Sequence, residues 1–338
     1  MKIENIDIDR DVLIIAEIGV NHEGDLERAE QMIDEVADTG AQAVKFQTYY
    51  VSKNLYLSTS IDEERYKRTM GYEFSAEQFQ RLAECAHNKG LIFLSTPFDL
   101  SSVDMLDAIC PAFKVSSGDL TFYPLLEKIA SKEKPILLST GMGTENEIEK
   151  ALTVIEKASP GPLNERVVLL HCVTSYPCPP EAANLNSIPF LKNRFGLRVG
   201  YSDHMLGTLG AEVAVLLGAR IIEKHYTYRK ENQTFRDHQL SADKNDLLHL
   251  VKRVREIKKL LGDHKKDINF IEKDNAIAMR RSIGAFVDLN KGDIIKKENL
   301  TFLRPATGLD TDKVDAIVGK RLKRSIDRGS IITESDIE

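Results

Sequence analysis

An extended chain through Ile221-Ile222-Glu223-Lys224-His225-Tyr226-Thr227 sends Ile221, Glu223, His225 and Thr227 to one face. That face passes from isoleucine to a carboxylate and an imidazole within five residues. Similar pairs recur elsewhere: Lys45 with Gln47, and Ser202 with His204, each two apart in a β-rich run. Lysines in "AVKFQ" and "AFKVS" have apolar neighbours, and a buried lysine is costly unless it meets an anion, so Lys45 and Lys114 point to an anionic ligand. His204 and His225 at the ends of consecutive strands could face one cavity. Two imidazoles with a carboxylate nearby make an open site for a divalent metal that keeps water. Together these groups support a metal-assisted lyase or transferase acting on an anionic small molecule.

The elements that must position them are short apolar, β-branched runs spaced widely enough for a helix between each pair. They lie at 12–19, 43–49, 91–98, 112–118, 135–142, 167–176, 199–204 and 220–227. Between them the helical period is clear, as in Leu26, Ala29, Met32, Ile33 and Val36, ended by Gly40. Eight strand-helix units in about 260 residues predict a (β/α)8 TIM barrel. A doubly wound sheet is the alternative, but no GxGxxG follows the first strand. Almost every run turns polar at its C-terminal end: Glu17, Lys45 and Gln47, Thr96, Lys114 and Ser117, Ser139, Thr174 and Tyr176, Ser202 and His204, Glu223 and His225. In a barrel those ends share one rim, where barrel enzymes place their sites. Any single Ser or Thr there reads more readily as a turn or cap residue than as a functional one.

The barrel is expected over 1–261 and a linker over 262–280. A small, mostly β domain is expected over 281–338, where NKGD, PATG and DRGS turns separate short strands. "LNKGDIIKKENL" and "IDRGSIITESDI" resemble an internal duplication. The formal charge of -6 argues against a nucleic-acid surface, and no apolar run reaches the length of a membrane span. With no signal-peptide pattern, and with Cys85, Cys110, Cys172 and Cys178 forming no CxxC pair, the expected compartment is the cytoplasm. His22 is expected to pack or cap at a loop, His171 and Cys172 to belong to the core, and His87, His249 and His264 to lie on helix or linker surface.

In order along the chain, "AEIGVNHEGD", "AVKFQT", "FLSTPFD", "FKVSSGD", "LSTGM", "LLHC…YP", "GYSDH" and "IEKHYT" resemble the sialic acid synthase family. "LRPATG" and "IVGKRLKRSIDRGSII" resemble its C-terminal antifreeze-like SAF domain. The resemblance implies condensation of phosphoenolpyruvate with an N-acyl hexosamine such as N-acetylmannosamine, giving a nine-carbon 2-keto sugar acid. Legionaminic acid and spore-coat polysaccharide branches of the same family are implied alternatives. It further implies that His204 and His225 bind Mn2+ or Mg2+. Lys45, Lys114, Thr96, Ser117, Ser139 and Ser202 would surround phosphoenolpyruvate. Glu17, Gln47, Tyr176 and Asp237 would face the sugar, Thr174 would bind substrate, and Glu223 would sit beside the metal; Glu17 or Glu223 would accept protons, with Asp119 a further catalytic residue. Arg304 of the tail would reach the N-acyl group across a domain-swapped homodimer. Phe46, Asp119 and Thr174 stand where the sialic acid branch has His, Glu and Asn, and "TFRDHQLSAD" lacks its GPDH wording. The nearest rival, a phosphoenolpyruvate-aldose phosphate synthase, would need further cations for a second phosphate.

Overall fold

The computed structural model describes residues 1–50, 67, 69–159, 161–231, 233, 236–263 and 265–338. His264, Thr234 and Phe235 lie outside the described residues. The chain divides into two compact units, Met1–Gly262 and Asp263–Glu338.

The first unit opens with an antiparallel hairpin, β1 (Lys2–Ile3) and β2 (Ile6–Asp7). Eight parallel strands follow: β3 (Leu13–Gly19), β4 (Ala43–Thr48), β5 (Ile92–Pro97), β6 (Phe113–Val115), β7 (Ile136–Ser139), β8 (Val167–Cys172), β9 (Arg198–Asp203) and β10 (Ile221–His225). Their order is β5-β4-β3-β10-β9-β8-β7-β6, and β5 runs beside β6, so the sheet curls into a TIM barrel. Helices between the strands cover the outside. The helix Leu26–Ala37 starts where the Asp25 side chain accepts from the Arg28 N–H, and it buries the expected stripe of Ala29, Met32, Ile33 and Val36. Thr144 caps the helix Glu145–Ala158 through a reciprocal bond pair with Glu147.

Period-two alternation separates two cores. Outward residues such as Val44, Phe46, Phe93 and Ile222 join the large cluster under the helices. Inward residues Leu13, Ile15, Ala43, Ile92, Leu94, Ala112, Leu137, Val168, Leu170 and Ile221 plug the barrel, and Ile3 and Ile8 from the hairpin region pack onto the plug. Gly200 belongs to this layer because a Cβ there would come within 2.5 Å of Leu170 Cδ2 and 2.6 Å of the Ile221 carbonyl oxygen. One step further along each strand the inward positions become Glu17, Lys45, Lys114, Ser139, Cys172, Ser202 and Glu223. The apolar plug therefore ends where the polar cup begins. The strands stop earlier than expected: β6 at Val115 instead of 118, β7 at Ser139 instead of 142 and β8 at Cys172 instead of 176. The polar residues leave the ladder there, and Ser117–Asp119 turns into a 3-10 helix.

The second unit holds β11 (Ser282–Ala285) paired antiparallel with β12 (Leu300–Leu303). Ile283, Ala285, Leu289, Ile295, Ile326 and Ile332 lie in its small core. The two repeated phrases fold alike: Gly292 and Gly329 both turn with positive φ, and each phrase ends in a 3-10 turn, Lys297–Asn299 and Glu334–Asp336. Leu289 and Ile326 exchange both backbone hydrogen bonds, so the phrases pair with each other. The stretch read as a linker carries a helix, Lys273–Met279. Among the described residues, no helix is long and apolar enough to cross a membrane.

Candidate active site

Strand register brings the inward polar residues together at the C-terminal end of the barrel. Glu17 lies opposite Lys45, His225 opposite Glu17, and Glu223 opposite Ser202. Lys45 Nζ sits 2.6 Å from Glu17 Oε2 and 3.7 Å from Glu223 Oε2, and it donates to Thr96 Oγ1 at 3.0 Å. Lys114 Nζ lies 3.7 Å from Glu223 Oε1 and donates to the Val115 carbonyl at 3.1 Å. Ser202 donates to Glu223 Oε1 at 2.9 Å, and Gln47 donates to Glu17 Oε1 at 3.2 Å. Gly19 lets that last contact form, since a Cβ at this left-handed position (φ +57°) would lie 3.2 Å from Glu17 Oε1.

These four charges are buried, so their protonation follows from one another. Burial, with the Glu223 charge, pushes the Glu17 carboxyl up to about 7, although Lys45 opposes it. Glu223 is also penalised by burial, but Lys114, Lys45 and the Ser202 hydroxyl hold it below the usual range. Burial lowers Lys114, whereas the two carboxylates outweigh burial at Lys45 and raise it. With Glu17 protonated, two ammonium groups face one carboxylate, which leaves a net positive cup for an anion. Ser139 Oγ is buried there and has no hydrogen-bond partner among the described residues. Beside it, the Gly141 N–H donates to Ser117 Oγ at 3.1 Å, and a Cβ at Gly141 would meet Ser117 Oγ and Thr174 Oγ1 at 2.6 Å.

The two imidazoles lie together, with ring centroids 5.4 Å apart. His204 Nδ1 donates to the Val173 carbonyl at 2.9 Å, which leaves Nε2 as the free lone-pair nitrogen. His225 Nδ1 is buried without a hydrogen-bond partner among the described residues. Burial lowers both histidines, and at His225 the neighbouring cations lower it further, so both are neutral, the form that ligates metals. Among the described residues no group of three or more His, Cys, Asp or Glu could hold a metal ion. Two neutral imidazoles could hold a divalent metal only as an open site, the remaining positions being left to water or substrate. The Tyr176 ring lies 4.1 Å from that of His204 and 6.0 Å from that of His225.

Three expected residues follow the ends of their strands. Asp119 accepts from Ser116 at 2.5 Å on the 3-10 turn, its carboxyl raised by burial. Thr174 is exposed, and Asp237 is buried in the helix Arg236–Leu240. Arg304 belongs to the second unit, is exposed and makes no ion pair among the described residues. Cys172, read as core, is buried but lines the inner wall, with Sγ 3.7 Å from His204 Nδ1. Its place in the alternation, two residues beyond Leu170, carried that signal. Lys224 points outward to Asp203 at 3.2 Å and to the Met205 carbonyl, so it ties β10 to the loop after β9. His171 is buried against Ala183 as expected of a core residue, with Nε2 2.8 Å from that carbonyl. His22 packs at its loop by stacking on Phe74.

Comparison with known proteins gives two consistent matches. The NeuB family model matches residues 32–266 and the SAF domain model residues 280–338. The chain is 39% identical to an N,N'-diacetyllegionaminic acid synthase of Campylobacter jejuni over 95% of this chain and 99% of the relative. It resembles the crystal structure of an N-acetylneuraminic acid synthetase from Leptospira borgpetersenii in complex with citrate. That likeness has a TM-score of 0.75 and 37% identity, over 81% of this chain and 94% of the other. A spore coat polysaccharide biosynthesis protein E from Chromobacterium violaceum superposes with a TM-score of 0.85 at 25% identity, over 97% of this chain and all of that one.

Proposed function

This chain belongs to the NeuB family, and from that membership we propose that it joins phosphoenolpyruvate, an N-acyl hexosamine and water into a nine-carbon 2-keto sugar acid, releasing phosphate. One observation carries the reading: two buried lysines and two neutral imidazoles share one cup at the rim of the barrel. Lys45 and Lys114 would hold the phosphate and carboxylate of phosphoenolpyruvate, with hydroxyls from Thr96, Ser117, Ser139 and Ser202 completing the anion site. Gln47, Thr174, Tyr176 and Asp237 would face the sugar.

His204 and His225 would hold Mn2+ or Mg2+, which when bound supplies Lewis acidity toward the sugar's aldehyde oxygen. Carbon 3 of phosphoenolpyruvate forms a bond to the aldehyde carbon, and water adds to the cation left at carbon 2. Glu17, with its pKa near neutrality, is suited to accept a proton in this sequence and return it. Glu223 stays ionised between the two lysines and would orient Ser202 and Lys114. The tetrahedral intermediate loses phosphate by carbon-oxygen cleavage as the lysines stabilise the departing charge. Asp119 would act from the edge of the cup.

We further propose a homodimer in which Arg304 of one chain reaches the N-acyl group at the partner's barrel. Support comes from its exposed guanidinium, which makes no ion pair among the described residues, and from exposed apolar residues in the first part of the second unit: Phe270, Ile271, Ile277 and Met279. Four free cysteines agree with a cytoplasmic setting. The test is mass analysis of the product formed from phosphoenolpyruvate and a panel of N-acylated hexoses. The likeness to a diacetyllegionaminic acid synthase puts diacetamido hexoses in that panel beside N-acetylmannosamine. A panel with no product, phosphorylated aldoses excepted, would overturn the proposal in favour of the aldose phosphate reaction.

A further inference from the structure

The segment after β10, residues 237–242, is held to the barrel by side chains outside the charged cup. Asn21, fully buried in the loop after β3, donates through Nδ2 to the Tyr226 carbonyl at 2.8 Å and to Ser241 Oγ at 3.1 Å. Ser241 in turn donates to the Asp237 carbonyl at 2.5 Å. A serine has one hydroxyl hydrogen, and here it is spent on Asp237, so Ser241 can only accept from Asn21. The relay therefore has one direction, from Asn21 through Ser241 to Asp237. Backbone bonds fasten the far end of the segment: Ala242 N–H donates to the His225 carbonyl at 2.7 Å, and Thr227 N–H to the Ala242 carbonyl at 2.9 Å.

Asn21 Oδ1 is buried with no hydrogen-bond partner among the described residues. An orphaned acceptor is a cost to folding, so stability alone does not explain an asparagine here. The two donors of the amide do: an aspartate would turn an oxygen toward the Tyr226 carbonyl, and an alanine would leave both acceptors unfilled. We propose that Asn21 is a positioning residue that, through Ser241, fixes Asp237 at the rim for the sugar acceptor. This rests on the reading above that Asp237 faces the sugar.

The test uses the full-length protein and the variants Asn21→Ala, Asn21→Asp, Ser241→Ala, Ser241→Thr, Asp237→Asn and the pair Asn21→Ala/Asp237→Asn. Hydrogen exchange at amides 237–242 and steady-state kinetics with N-acetylmannosamine and phosphoenolpyruvate are measured for each. Losing a buried hydrogen bond is worth roughly tenfold. Both Asn21 variants and Ser241→Ala should therefore speed exchange in 237–242 and raise KM for N-acetylmannosamine, each by about that factor, while KM for phosphoenolpyruvate stays put. Ser241→Thr, which keeps the hydroxyl, should stay near wild type, and the double variant should be no worse than Asp237→Asn alone. Unchanged exchange in Asn21→Ala would overturn the proposal, as would equal rises in both KM values with a general loss of melting temperature. If Asp237→Asn leaves the sugar KM unchanged, or the wild type does not turn over N-acetylmannosamine, the sugar reading of Asp237 fails. The exchange data still judge whether Asn21 holds the segment.

Discussion

Replacing Lys45 with methionine keeps the shape of the side chain and removes the ammonium that lies between Glu17 and Glu223. Three partners lose their contact: Glu17 at 2.6 Å, Glu223 at 3.7 Å and Thr96 at 3.0 Å. Breaking a buried ion pair from one side costs about 3–5 kcal/mol, because the remaining charge stays buried. For a domain of this size that corresponds to a fall in melting temperature on the order of 10 °C. The fall should depend on pH. Glu17 already titrates near 7, against 4.5 for an exposed carboxyl, so its contribution is complete below 4.5 and is lost as pH rises through 7. Without Lys45 the folded-state pKa climbs higher still, and the protonated carboxyl removes much of the penalty under mildly acidic conditions. Lys45→Met should therefore lie closer to wild type at pH 6 than at pH 9, and Lys45→Met/Glu17→Gln should recover most of the stability while remaining unable to use phosphoenolpyruvate. Differential scanning fluorimetry across that range, with phosphate release as the activity assay, is sufficient. A gap equal at both pH values, or a double variant no more stable than the single, would refute the picture of a coupled buried cluster.

Chelator treatment should abolish activity and Mn2+ or Mg2+ should restore it, whereas His225→Ala should stay inactive at ordinary metal levels; full activity after exhaustive chelation would remove the metal. His22 should weaken the fold in acid, because burial, with a smaller push from the Arg28 charge, depresses its pKa from 6.5 to about 3. Its stabilising contribution is present above pH 6.5 and disappears as pH falls toward 3, a difference of at most about 5 kcal/mol. His22→Asn should flatten melting temperature over that window, and an unchanged slope would show that another group sets it. Mixed dimers of His225→Ala and Arg304→Ala, each inactive alone, should regain activity if Arg304 serves the partner's barrel; verified mixed dimers that stay inactive would place it in cis or outside the site.

The barrel was legible because each strand carries a period of two and each helix a period near 3.6, and the two change places regularly along the chain. The cup was legible for the same reason: Glu223 follows Ile221, Lys45 follows Ala43 and Lys114 follows Ala112 on one face. Strand ends were less so. A polar residue at the rim reads the same whether it continues the ladder, as Glu17 does, or leaves it, as Ser117 does. Cys172 looked like core because its neighbours are apolar, and only alternation counted from Leu170 turns it inward. Asn21 and Ser241 meet across a sequence gap of 220 residues, and nothing local to either marks the contact. The protonation of Glu17 depends on Glu223 and Lys45 from two other strands, so it too required the assembled barrel.

The reaction itself is tested most directly by carrying phosphoenolpyruvate labelled with oxygen-18 at the bridging position through one turnover with an accepted N-acyl hexosamine. Water attack at carbon 2 followed by carbon-oxygen cleavage sends the label out in phosphate, and the organic product has the mass of the sugar plus unlabelled pyruvate. Label retained in the keto acid would mean phosphorus-oxygen cleavage, and the lysine-lined cup would then be doing different chemistry.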